Sequence, residues 1–573
     1  MHAARRLYLY VMSGITLSVI GFGLVTLARV LLQDVFPTPE FDFGSEYDNG
    51  RQQLSQAISL LGVGIPVWAV HWRLIQRGVR ASNPAHEEER GSAIRAAYFT
   101  AVLFISLLVW VPNAITVLVW VINSVLNART EFDFTDPLGA STLSIVGLAI
   151  WVFHGLARRR DLSSGHVEGA AAWLPRLYLY GVAVGALFAA LQAVETLAGL
   201  LLLNTPSGAD GEAFRGSILA GVGVGVVAWG LVWSGHWFYA NRLALHGHEG
   251  RGADERVSRT RVGAFVLVIV LSASAALRSV AAAIAALIGP SVAPDLDFGV
   301  PVPGVGGPVV AAVLYAVTWR LFTRALDREP AAADPLRALH QVRLTSHGIA
   351  ATMLLMGGAG AAWLAGYGIE FVLTGGHATP FGPGGYELPT WLGSAVVGLA
   401  AWFTAWRSVM ARRRLDPQPE ATSTIRRTFL YLTLGVALVA AIIATTVILN
   451  RFVGIALADG SGGSLESLST PLGILLVSGL VLAYHGLQLR ADMRVAAAAT
   501  PVTAEEAEAG AGEATPDAAA MPVPPAAMPP TAAVVLDTIA LTLRVPAGSD
   551  PAPTIAALQR ALPAGAELST GDA

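Results

Sequence analysis

Apolar and polar positions alternate along this chain on the scale of helices rather than of single residues. Apolar runs recur from end to end, at 7–33, 52–74, 96–126, 138–158, 177–203, 216–241, 262–289, 305–325, 345–375, 391–411, 428–457 and 470–489. Each matches the roughly 20 residues that a helix needs to cross a hydrocarbon core about 30 Å thick. The runs are continuous, whereas the strands of a membrane barrel alternate over about ten residues. The pattern predicts an all-α fold, a polytopic membrane helix bundle of 12 transmembrane helices. Arg5 and Arg6 precede the first run as they would a signal peptide. That run exceeds the usual 7–15-residue signal core and no small-residue cleavage site closes it, so it is expected to stay as the first helix.

The runs come in pairs, and the pairs repeat. "WAVHW" at 68–72 returns as "WVFHG" at 151–155, "WSGHW" at 233–237, "YAVTW" at 315–319, "WFTAW" at 402–406 and "LAYHG" at 482–486, at offsets of 83, 82, 82, 87 and 80 residues. A near-constant period marks tandem copies of one structural unit. The prediction is six helical hairpins over residues 1–90, 91–172, 173–258, 259–340, 341–422 and 423–494. Helix starts repeat as well, "RLYLY" at 6–10 and 176–180 and "RTFLY" at 427–431.

Charge then orients the hairpins. The five segments that join one hairpin to the next carry 25 arginines, and the six turns inside the hairpins carry three, Arg51, Arg129 and Arg215. The same turns hold clustered acid, "PEFDFGSEYD" at 39–48 and "EFDFTD" at 131–136. Short arginine-rich loops stay on the cytoplasmic side, which places both termini in the cytoplasm and makes the repeats parallel rather than inverted. Only 13% of residues are charged, against about 25% in soluble proteins. All 37 basic residues are arginine and cysteine is absent, which removes thiolate chemistry and Cys-ligated metals from consideration.

The repeated exit motif sets Trp and His three residues apart, on one helix face, where an aromatic anchor at the headgroup level is expected. The sharper alternative makes His71, His154, His236 and His485 ligands of a haem or metal. Against it, the matching positions of the fourth and fifth hairpins are Thr318 and Ala405, and no carboxylate or second histidine stands a turn away. Each odd-numbered apolar run also carries one polar residue in its outer half: Arg29, Asn113, Glu195, Arg278, Glu370 and Arg451. A charge at mid-bilayer costs about 2.5–3.5 kcal/mol on insertion scales; either outward snorkelling, open to Arg29, Glu370 and Arg451 near their helix ends, or pairing of some of these groups across the bundle, for example of Glu195 or Glu370 with Arg278, is expected to offset it. Pro66 and Pro112 are expected to kink or open their helices. "AGVGVGVVAWG" at 220–230 and "GGAGAAW" at 357–363 are expected to permit close helix contact. The run Glu87–Arg90 and the loop "HGHEGRGADER" at 246–256 read as solvated.

Beyond Arg494 the composition changes. Residues 495–532 are rich in Ala, Pro and Glu and read as a disordered linker. Residues 533–573 read as a small cytoplasmic tail, a strand at 534–545 and a helix at 549–562 with Asp550 as N-cap and Pro551 behind it. The hairpin unit, with "RRLYLY" at 5–10 and "PVWAVHWR" at 66–73, resembles an uncharacterised bacterial family of multi-pass membrane proteins built from tandem two-helix units and classed as a domain of unknown function. The resemblance spans residues 5–490, is clearest in the first and third hairpins and weakens in the fourth and fifth. It implies architecture and membrane location, and no catalytic residue transfers.

These observations point to a non-enzymatic, structural or signalling protein of the bacterial cytoplasmic membrane. It needs no cofactor or metal, its partners are the lipid bilayer and a protein met through the tail, and nothing suggests nucleic acid. Two alternatives follow from particular residues: a transporter or channel using the Glu/Arg/Asn set, and a membrane oxidoreductase with histidine-bound haem.

Overall fold

A computed structural model describes residues 2–32, 49–80, 89, 91–125, 137–162, 169–202, 209–246, 251–292, 304–329, 334–375, 387–457 and 468–498. The acidic turns at 39–48 and 131–136, and the linker, strand and helix expected beyond residue 498, lie outside the described residues.

Fourteen helices make up almost all of the described residues. Four come first: α1 (His2–Leu32), α2 (Asn49–Arg80), α3 (Ala93–Val125) and α4 (Pro137–Leu162). Then come α5 (Ala170–Leu202), α6 (Ala209–His246), the short α7 (Arg251–Arg256), α8 (Arg259–Val292) and α9 (Gly306–Asp327). The last group is α10 (Pro335–Leu373), α11 (Glu387–Leu415), the short α12 (Pro417–Ala421), α13 (Thr424–Leu457) and α14 (Ser469–Ala498). Among the described residues, twelve of these are long and apolar enough to cross a membrane. Pro66 and Pro112 each lie within a continuous helix. Local chemistry explains several ends: α10 starts on Asp334, whose carboxylate accepts from the amides of Leu336 and Arg337, with Pro335 at the first helical position. It stops just before Gly375, at φ 66°, the left-handed residue that closes many helices.

The helices group in fours. In the first group, helix one packs on helices two, three and four, and helix three on helix four. The same neighbours recur for α5, α6, α8 and α9, and again for α10, α11, α13 and α14. The groups then join by one rule: helix three of a quartet packs on the first two helices of the next, α3 on α5 and α6, and α8 on α10 and α11. Two sequential hairpins thus close on each other before the chain moves on.

Glycine sets how tightly the joints close. A methyl group added at Gly393 of α11 would collide with the carbonyl of Ala281 in α8. One at Gly398 would strike the backbone of Gly357, and one at Gly360 the backbone of Ala395, so α10 and α11 touch along their main chains as the stretch 357–363 suggests. The stretch 220–230 behaves otherwise. A methyl at Gly223 would meet nothing within 4 Å, and those at Gly221 and Gly225 would meet side chains only at 3.8 Å. Gly223 thus looks into open space, while Gly221 and Gly225 lie at ordinary contact distance from α3 and α5, without the backbone-to-backbone approach seen at 357–363.

Candidate functional site: a repeated arginine–carboxylate clamp

The most ordered polar structure lies at the arginine-rich end of the helices. In the first quartet, Arg6 of α1 pairs with Glu89, which precedes α3, at 2.6 Å. Tyr10, one turn beyond Arg6, donates its hydroxyl proton to Glu89 at 2.8 Å and accepts from Nη1 of Arg95 at 2.9 Å. Arg95 of α3 then grips Asp161 of α4 with Nε and Nη2, at 2.8 and 3.0 Å. Arg95 is fully buried and Asp161 is 6% exposed. The fork geometry is the strong form of a charge-assisted hydrogen bond, and one continuous chain of polar contacts ties α1, α3 and α4 together.

The second quartet repeats it. Arg176 pairs with Glu255 at 2.7 Å, Tyr180 donates to Glu255 at 2.8 Å, and Arg261 donates to Tyr180 at 3.1 Å. Arg261 holds Glu329 at 2.7 Å through Nη2 and also donates to Asn241. The third quartet keeps the ends and loses the middle. Arg343 pairs with Glu420 at 2.7 Å, and Arg426 pairs with Asp492 at 2.6 Å, helped by Arg413 at 2.7 Å. His347 stands where Tyr10 and Tyr180 stand. Its Nε2, and Oε1 of Glu420, have no hydrogen-bond partner among the described residues. Each inner arginine also lies against an aromatic ring: Arg95 on Phe99 at 5.0 Å, Arg261 on Phe265 at 5.2 Å and Arg426 on Trp406 at 5.2 Å.

This clamp corrects two sequence expectations. Glu89 belongs to a run read as a solvated face, and Glu255 to a loop read the same way; each is a partner of an arginine and a tyrosine, Glu89 half-buried and Glu255 buried. Glu255 sits on α7 and Glu420 on α12, short helices that bring a carboxylate back to the bundle just before helix three.

The four histidines fall into two positions. His71 and His236 lie in helix two of their quartets, His154 and His485 in helix four. The Nδ1 of each contacts the carbonyl one turn earlier, Val67, Ile150, Val232 and Val481 respectively. The Nε2 of His154 meets the Tyr98 hydroxyl at 3.1 Å, and that of His236 meets the Tyr178 hydroxyl at 3.3 Å. His485 is 1% exposed and its Nε2 has no partner among the described residues. His154 packs on Trp72 and Phe99, His485 on Trp406 and Phe429. Counted back from the paired carboxylates, the residue matching His154 and His485 in the second quartet is Phe322, which packs on Trp237 and Phe265. Thr318 lies one turn away from that place. No group of three or more metal-ligating side chains occurs among the described residues.

The six polar residues of the odd runs do not gather in one place. Arg278 of α8 pairs with Glu195 of α5 at 3.1 Å, and Tyr315 of α9 donates to Glu195 at 2.9 Å. Asn113 donates to the carbonyl of Val109 in its own helix. Glu370 of α10 is buried, while Arg29 of α1 and Arg451 of α13 are exposed.

A large opening lies where the first quartet meets the second. It holds about 1810 Å³ and is walled by α3 and α4 on one side and α5 and α6 on the other. Its wall is mostly apolar, with Trp110 and Trp151 among its aromatic residues, and its arginine-rich end carries Arg158, Arg159, Arg176 and Arg242.

Two stretches of the chain, residues 6–142 and 343–480, match the family model of DUF5671, a domain of unknown function. The first match runs from Arg6 of α1 into α4 and the second from Arg343 of α10 into α14, equivalent parts of the first and third quartets. The second match covers the fifth hairpin, where the sequence resemblance had looked weakest because Ala405 replaces the histidine. No curated protein and no solved structure matches the chain.

Proposed function

We propose that this protein is a rigid multi-pass platform of a bacterial cytoplasmic membrane with a structural or signalling role. Its arginine-rich end lies in the cytoplasm, where the connecting segments and the region beyond residue 498 engage a protein partner. The carrying observation is the clamp. Buried arginine–carboxylate pairs fix helices to one another at one level of each quartet, as at Arg95–Asp161, Arg261–Glu329 and Arg426–Asp492. Charges that serve a transport path line an aqueous route instead. Glu195 pairs with Arg278 and accepts from Tyr315, Asn113 bonds within its own helix, and none of the six polar residues of the odd runs lines the large opening. Arginine placement favours the assigned orientation.

The test is permeability. The purified full chain goes into sealed liposomes carrying a pH-sensitive dye and a potassium gradient. Gradients decaying no faster than in protein-free liposomes support the platform reading. A faster decay that Glu195→Gln abolishes overturns it in favour of a channel or carrier.

A further inference from the structure

We propose that the opening between the first and second quartets is a site for one anionic phospholipid, its phosphate held by Arg158 and its acyl chains laid along α4 and α6. The proposal rests on the membrane reading above. Leu148, Val152 and Leu156 of α4 and Val227 and Leu231 of α6 line this opening, and all five are exposed in the protein alone. Such walls face hydrocarbon. The volume exceeds the roughly 300–1,000 Å³ of most small-molecule sites.

Arg158 supplies the reason for an anion. It is 4% exposed and lines the opening. One amine, Nη2, donates to the carbonyl of Ala171. Its Nε and Nη1 have no hydrogen-bond partner among the described residues. Asp161 pairs with Nη1 only loosely, at 3.9 Å, because its two oxygens already receive Arg95, and the Phe99 ring lies 5.9 Å from the guanidinium carbon. A buried, half-unsatisfied guanidinium is costly unless an anion completes it. Arg158 is not part of the clamp, because the positions three residues before Glu329 and Asp492 are Leu326 and Leu489. With Arg158 the opening gathers Arg159, Arg176 and Arg242 against two carboxylates, Asp254 and Glu255; Arg176 and Glu255 engage each other, which leaves three arginines against Asp254. Basic pockets between membrane helices at the cytoplasmic side recognise anionic headgroups by this chemistry.

The corresponding joint between the second and third quartets packs more tightly at this point. There Gly393 lies against the backbone of Ala281, whereas Gly223, at the first joint, looks into space.

Native mass spectrometry of the full chain in mixed micelles tests this, with phosphatidylglycerol and phosphatidylcholine supplied in equal amounts. The wild type is expected to retain one phosphatidylglycerol at least tenfold over phosphatidylcholine. Arg158→Gln is expected to bring that ratio near one. Gly223→Leu, whose Cβ enters open space, is expected to remove the retained lipid. Glycerol phosphate at millimolar concentration should not displace it. Equal retention of both lipids by the wild type overturns the proposal, as does a preference that survives Gly223→Leu. Displacement by glycerol phosphate also overturns it, since the site would then serve a soluble anion. A chain recovered from cells without detergent would sink the membrane reading itself; a membrane-extracted chain without headgroup preference sinks only this site.

Discussion

Phe429 stands where Tyr98 stands in the first quartet, three residues after the inner arginine of the clamp, and the exchange removes one oxygen. Tyr98 bridges Ser13 and His154; Phe429 leaves Nε2 of His485 without a partner. Phe429→Tyr should restore the contact, since the ring of Phe429 lies 5.9 Å from that of His485 and the ring of Tyr98 lies 5.8 Å from that of His154. A single satisfied hydrogen bond of this kind contributes about 1 kcal/mol, readable as a higher unfolding temperature in detergent. A carboxylate of the clamp should behave in the opposite sense. Asp161→Ala leaves Arg95 charged and buried, at a cost of about 3–5 kcal/mol, and the added change Arg95→Met should recover much of that loss. A double variant as unstable as the single one would show that Asp161 acts through something other than Arg95. Little of this was legible beforehand. Arg95, Asp161, Glu255 and Glu420 lie in charged connecting segments whose composition resembles any solvated loop, and their burial depends on partners about 66–79 residues away in sequence.

At the scale of elements, the apolar runs located every long helix, because length and continuity of hydrophobicity suffice to define a span. The short helices α7 and α12 escaped notice. Five or six residues carry no periodic signal, and what holds them is a glutamate fastened to the first helix of the same quartet. Small-residue stretches were only half informative, since glycine permits close approach without requiring it. A paired substitution separates the two cases. Gly398→Ala drives a methyl into the backbone of Gly357 and should lower stability by roughly 1–3 kcal/mol. Gly223→Ala enters open space and should raise it by up to about 1 kcal/mol through helix propensity. Equal melting shifts for the two variants would contradict the tight α10–α11 contact.

For the whole molecule the controlling relation is the order of neighbours, three quartets joined by their third helices. The orientation proposed for it has a direct assay, because the chain lacks cysteine. On intact cells an impermeant maleimide should label Ser45→Cys, in the first acidic turn, and leave Ser164→Cys, in an arginine-rich connection, untouched until the membrane is opened. The reverse pattern would invert the topology. A trace of the quartet was present in the sequence. "RLYLY" marks 6–10 and 176–180, skipping the hairpin between, whereas "RTFLY" at 427–431 falls at the start of a third helix, not a first. Hydrophobicity by itself determined that the chain is a set of long helices and where each one runs, since that is a property of consecutive residues. Which hairpins close on each other, which carboxylate each arginine meets, and how closely the helices approach at each joint were decided only by tertiary structure. Those outcomes depend on side chains far apart in sequence meeting in a water-poor interior, where a charge must find its counterion and a missing methyl group sets how near two backbones can come.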